Sequence, residues 1–169
     1  AERLKTLMYK DGYQVGYVTG AALFNKLGLS TQQPKTIEVA SMASRQKKNF
    51  GSIRVRLVAA TAPVQANVPL LELLDALKSC KKISDASVDD VLLLLEKKLK
   101  SLEMTDIEKI QKLAIDYYPA STNAVLGTLL SRNQQRILPE LRNSLNPTSR
   151  YKLGLSSQRW PQAREWFIR

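Results

Sequence analysis

The sequence predicts an α+β fold: a small mixed α/β front part with a β-hairpin, followed by an α-helical bundle. Three observations carry this. Short period-two apolar alternations and glycines fill the first sixty residues, helical apolar spacing takes over from Val68 onward, and the charge changes at the same place. Residues 1–60 carry ten basic and three acidic side chains, residues 61–130 eight and ten, and residues 131–169 eight and two. The boundary falls between Pro63 and Pro69, which divides the chain into a mixed part over 1–62 and a helical part with its tail over 63–169, two parts that can also form one continuous domain.

In chain order, Leu4, Leu7 and Met8 give Glu2 to Met8 helical spacing. Gly12, Gly16 and Gly20 punctuate an aromatic stretch in which Tyr9, Tyr13 and Tyr17 recur every four residues. Packing is the expected role of these tyrosines, with stacking on a partner the alternative. Thr19 is placed to cap a short helix through Leu27, and Gly28 suits its left-handed end. Thr36–Ser41 and Ser52–Val58 alternate with period two and read as two strands of a hairpin joined by the basic loop Ser44–Gly51. Ile53, Val55 and Leu57 then share one face, and Arg54 and Arg56 the other.

Pro69 opens a helix with Leu70, Leu71, Leu73, Leu74 and Leu77. Ser87 caps the next, with Asp89 and Asp90 complementing the dipole of its N-terminus and Lys97, Lys98 and Lys100 that of its C-terminus. Thr105 to Glu108 has capping-box spacing, and Pro119 ends the helix it opens. A further helix runs through Val125 and Leu130, and a short one from Pro139 to Leu145. Leu153, Leu155, Trp160, Trp166, Phe167 and Ile168 make the tail too apolar to leave in water, so it is expected to dock on the domain. No repeat of solenoid period is present.

Composition excludes several chemistries. One cysteine and no histidine rule out an intramolecular disulfide, Cys/His zinc sites, Ser/His or Cys/His pairs and an imidazole base. Cys80 lies beside Lys78, Lys81 and Lys82, but a lone thiol at a helix end reads as incidental. Asp89, Asp90, Asp106 and Glu108 stand where helix N-termini favour negative charge, and the glycine spacing matches no nucleotide-binding loop. The expectation is therefore no enzyme, no cofactor and no metal. No apolar run reaches the roughly 18 residues of a membrane span, and no signal peptide is evident, so a cytoplasmic protein without a membrane partner is expected.

Binding is better supported. The net charge of +11 calls for a polyanion or an acidic surface. Arg45, Lys47, Lys48, Arg54 and Arg56 cluster in the hairpin with no acid between them and are the leading contact residues for nucleic acid or a protein partner. Arg150 and Lys152, from a second basic set with Arg132, Arg136, Arg142, Arg159 and Arg164, come next. Asn25 and Gln32 are polar candidates that can equally hold a turn.

Specific strings add to this. Asp11-Gly12-Tyr13, Tyr17-Val18-Thr19-Gly20 and Leu23-Phe24-Asn25-Lys26-Leu27-Gly28-Leu29-Ser30-Thr31-Gln32, followed by Pro34 and a strand, resemble the AbiEi-type antitoxins of type IV toxin–antitoxin (abortive infection) systems. Tyr117-Tyr118-Pro119, Ala124-Val125-Leu126-Gly127, Leu145-Asn146-Pro147 and Ser149-Arg150-Tyr151-Lys152-Leu153-Gly154 extend the resemblance towards the Trp-containing end. The resemblance implies a non-enzymatic protein that neutralises a nucleotidyltransferase-like toxin, directly or indirectly. Family members also repress their operon through an N-terminal winged helix-turn-helix on operator DNA. About ten residues precede the first matching string, too few for that element, so the chain is expected to lack it. The alternative reading is a DNA-binding transcriptional regulator that uses the basic β-ribbon, with RNA as a further possible polyanion.

Overall fold

The computed structural model describes residues 2–42 and 47–169. Helix α1 (Glu2–Met8) leads into a two-stranded hairpin, β1 (Tyr9–Lys10) and β2 (Tyr13–Gln14). Its turn residues Asp11 and Gly12 have φ of 52° and 80°, the left-handed pair that a two-residue hairpin turn needs. Strand β3 (Gly16–Thr19) follows, then helix α2 (Gly20–Lys26), β4 (Thr36–Ser41), β5 (Lys47–Phe50) and β6 (Ile53–Ala59). These strands form one sheet in the order β3-β4-β6-β5.

The hairpin expected between Thr36–Ser41 and Ser52–Val58 is corrected here. β4 and β6 run parallel, with Ile37 opposite Val55 and Val39 opposite Leu57, and the antiparallel hairpin is β5–β6 across Gly51 and Ser52. An extra strand between them reverses the chain once more. Lys47-Lys48-Asn49-Phe50 has no apolar alternation and two lysines, a composition that reads as loop yet suits a sheet edge.

One sheet face carries Val39, Val55 and Leu57, buried, with the partly buried Ile37 and with Leu4, Leu7 and Met8 of α1 packed against them. From the other, Tyr17, Ala40 and Val58 pack into the main core. That core continues through helices α3 (Val68–Lys78), α4 (Val88–Lys100), α5 (Met104–Tyr117), α6 (Ala120–Arg132) and α7 (Pro139–Asn143). α3 and α6 are its centre: every residue from Leu70 to Leu77 and from Thr122 to Leu130 is buried.

The helix ends follow local chemistry. Asn67 Oδ1 accepts from the Leu70 amide and Ser87 Oγ from that of Asp90. Gly28, φ 76°, closes the turn after α2. Two expectations fail at this level. α5 starts at Met104 after Glu103, so Thr105 lies inside the first turn and forms no capping box. The Thr19 hydroxyl makes no cap bond, because it donates to a buried carboxylate instead. No helix among the described residues is long and apolar enough to cross a membrane.

Candidate functional site

Strand alternation leaves Arg54 and Arg56 exposed on one face of β6 while Val55 and Leu57 turn inward. Parallel pairing with β4 sets Glu38 opposite Arg56, and their side chains form an ion pair. Thr36 and Asn49 are the register neighbours of Arg54, and no carboxylate among the described residues pairs with it. Glu38 thus fixes one guanidinium, and the other stays open to a partner.

Glu38 also lines a cleft of about 200 Å³ between the sheet and α3, with Thr19, Gly20, Ala40, Thr61, Asp75, Lys78 and Ser79 on its walls. Gly20 is required there: its φ is 66°, and a Cβ would run into the Glu38 carboxylate. Lys78 is exposed at this cleft, 3.4 Å from the Thr61 hydroxyl, and adds a cation from the helical side.

Asp75 is the group that sequence reading missed. Its Oδ2 accepts from the Tyr17 phenol at 2.6 Å and the Thr19 hydroxyl at 2.8 Å, and its Oδ1 from the Tyr118 phenol. Three donors satisfy the buried anion and tie β3, α3 and the α5–α6 junction together. Burial, and then the Asp75 charge, push both phenols well above the ordinary tyrosine range. The one available signal was an acid set among leucines, in a run from Leu70 to Leu77 that holds Glu72 as well as Asp75.

The leading candidates are not all brought together. Arg45 lies outside the described residues. Lys47 and Lys48 belong to strand β5 rather than to a loop, at the register positions of Arg56 and Val55. Arg150 and Lys152 sit on the tail. Arg150 stacks over Phe167 at 5.2 Å and donates to the Pro147 and Ser149 carbonyls, and the Lys152 carbonyl accepts from Lys81.

Most of the second basic set is likewise engaged within the chain. Arg132 lies 3.3 Å from both Glu96 oxygens and 4.6 Å above the Trp160 ring, and Arg142 lies 4.8 Å above Trp166. Arg136 pairs with Glu108 at 2.7 Å and Arg159 with Asp90 at 3.2 Å. Asp89, read as a dipole complement, also accepts from the Trp160 indole and the Ser156 amide, both at 3.0 Å. The expected docking of the tail is thus present: Trp160 and Trp166 are fully buried.

Among the weaker candidates, Asn25 holds a turn by donating to the Ser30 and Gln32 carbonyls, and Gln32 accepts from Ser84. Asp85 accepts from the Thr31 amide and the Ser30 hydroxyl, which holds its carboxyl below the usual range. Of the three tyrosines only Tyr17 packs inside; Tyr9 and Tyr13 are 48% and 71% exposed, against the expectation, on a two-stranded hairpin separate from the main sheet. Cys80 is buried, and burial pushes its thiol up to about 11, so it is no nucleophile at neutral pH. Comparison with protein-family models, curated proteins and solved structures found no match.

Proposed function

We propose that this chain is an antitoxin-like binding protein, which neutralises a nucleotidyltransferase-like toxin by contact and not by catalysis. The observation that carries the reading is the basic sheet face: Arg54 exposed without a carboxylate, beside Arg56 held in place by Glu38, with Lys78 across the cleft. Cations fixed on a rigid sheet lose little freedom on meeting an anionic partner, so they favour association and orientation. The resemblance to AbiEi-type antitoxins supplies the toxin class, and a cytoplasmic location follows from that role.

The test is co-expression with a nucleotidyltransferase-like toxin, the partner class that the resemblance implies. The wild-type chain rescues growth and co-purifies with the toxin, whereas Arg54→Glu with Arg56→Glu loses both while its melting curve keeps its cooperativity. Rescue undiminished by the double reversal rules this face out as the contact. The runner-up, operator binding by the β5–β6 ribbon, is favoured by the absence of any acid between Lys47 and Ala59. It requires duplex binding at about 50 mM salt that falls steeply as salt rises.

A further inference from the structure

Strand β5 pairs with β6, and among the described residues no strand pairs with its other side, so it forms an edge of the sheet. An edge strand presents backbone N–H and C=O groups to whatever lies beside it, a template for one more strand. The surroundings specify which strand. Four cations and no acid occur from Lys47 to Ala59. β6 sorts its side chains by face: Arg54 and Arg56 are exposed on one, and the other carries Val55 and Leu57 and ends in Ile53, 37% exposed. Next to the edge, therefore, the sheet is cationic on the Arg54 side, while on the other side Val55 and Leu57 lie beneath α1 and Ile53 is the large apolar side chain of β6 left exposed.

A strand laid along β5 alternates in the same way. Acidic residues at every second position fall on the Arg54 side, and apolar residues between them fall on the Ile53 side. A polynucleotide matches the charge but offers neither the backbone ladder nor an apolar face. We propose that the β5 edge receives an extended protein segment of alternating acidic and apolar residues by strand addition. This rests on the binding role proposed above and names what the partner presents.

The test uses a capped, fluorescein-labelled hexapeptide alternating glutamate and valine, titrated into the full chain and followed by anisotropy. Amide hydrogen exchange of Lys47–Phe50 is read in parallel. Expected are saturable binding, slowed exchange in β5, and about tenfold or greater weakening by Arg54→Glu. Arg54→Ala, which reverses no charge, serves as the second variant and weakens binding by less. The same peptide methylated on alternate backbone nitrogens keeps its charge and should not bind.

Absence of binding by the unmodified peptide, or equal binding of the methylated one, overturns strand addition. Tighter binding of a hexathymidylate than of the peptide overturns the assignment to protein. Toxin rescue by a chain that fails to bind the peptide removes this inference and leaves the antitoxin reading standing. Peptide binding by a chain that fails to rescue does the reverse.

Discussion

Gly127 sits in the middle of α6, where helix propensity alone makes Gly127→Ala stabilising by about 1 kcal/mol. The structure reverses that sign. A Cβ on Gly127 lies 2.5 Å from Cδ2 of Trp166 and closer still to Cε3 and Cζ3. The indole cannot simply swing aside. It is 1% exposed, its Nε1 donates to Ser131 Oγ at 2.8 Å, and Arg142 covers the ring. Overpacking a tight core costs about 1–3 kcal/mol, and losing the indole hydrogen bond adds about 1 kcal/mol. The net expectation is a loss of about 1–3 kcal/mol, and each kcal/mol lowers the melting temperature by about 2–4 °C in a chain of this size.

A double-mutant cycle makes the reasoning strict. With Trp166→Ala the clash partner is gone, and Gly127→Ala should then raise stability by about 0.5–1 kcal/mol, leaving a coupling of about 1.5–4 kcal/mol between the sites. Urea unfolding followed by far-ultraviolet circular dichroism measures all four corners without relying on the indole signal. A neutral or stabilising Gly127→Ala in the otherwise native chain refutes the packing account, as does equal destabilisation in both backgrounds.

Tyr118→Phe removes one donor from the buried Asp75 carboxylate and should cost about 1.5–3 kcal/mol in urea unfolding, with Asp75→Ala costing more than either single phenol. Asp89→Ala leaves the Trp160 indole and the Ser156 amide without their acceptor; about 1–3 kcal/mol is lost, and limited proteolysis should then cut faster within residues 151–169. Burial raises the Cys80 thiol from 9.0 to about 11, so the unfolded chain releases that proton first. Tyr17 and Tyr118 are displaced in the same direction. Stability from these groups is complete below the unfolded thiol value of 9.0 and falls as pH climbs towards 11, visible as a declining melting temperature over that range. Cys80→Ala should flatten the first part of that decline.

What the sequence disclosed was local. The Ser87 cap, the left-handed Gly28 and the inward Val55 and Leu57 against outward Arg54 and Arg56 each depend on a few neighbouring residues. What it hid depends on distant partners. Nothing near Thr36 or Ile53 says that their strands run parallel, since the direction is set by β5, whose composition resembles a loop. Asp75 meets donors 58, 56 and 43 residues away, so its role appears only once the sheet lies on α3 and the α5–α6 junction. At Asp89 the local reading was incomplete, because the carboxylate that complements α4 also anchors a tail 67 residues downstream. The candidate site divides on the same principle: the Arg54–Arg56 pair followed from alternation, while Glu38 met Arg56 only through the parallel pairing of β4 with β6.

The positive charge itself separates into populations by side-chain type. Residues 61–130 have eight lysines and no arginine, whereas residues 131–169 have seven arginines and one lysine. A requirement for charge alone would not distinguish the two residues. A requirement for planar groups that stack on rings while pairing with carboxylates selects arginine. The structure shows that use: Arg132, Arg142 and Arg150 lie over Trp160, Trp166 and Phe167, and Arg136 and Arg159 pair with Glu108 and Asp90. Four of the eight cations in residues 131–169, Arg132, Arg142, Arg150 and Arg159, thus hold the tail, whereas Arg54 on the sheet face is exposed with no carboxylate partner among the described residues. Charge-conserving Arg132→Lys and Arg142→Lys should therefore each lower stability by about 0.5–1 kcal/mol through weaker stacking on the indoles, with toxin rescue and peptide binding unchanged. Loss of rescue from these lysine variants, with the melting temperature intact, would place the partner at the tail instead of the sheet.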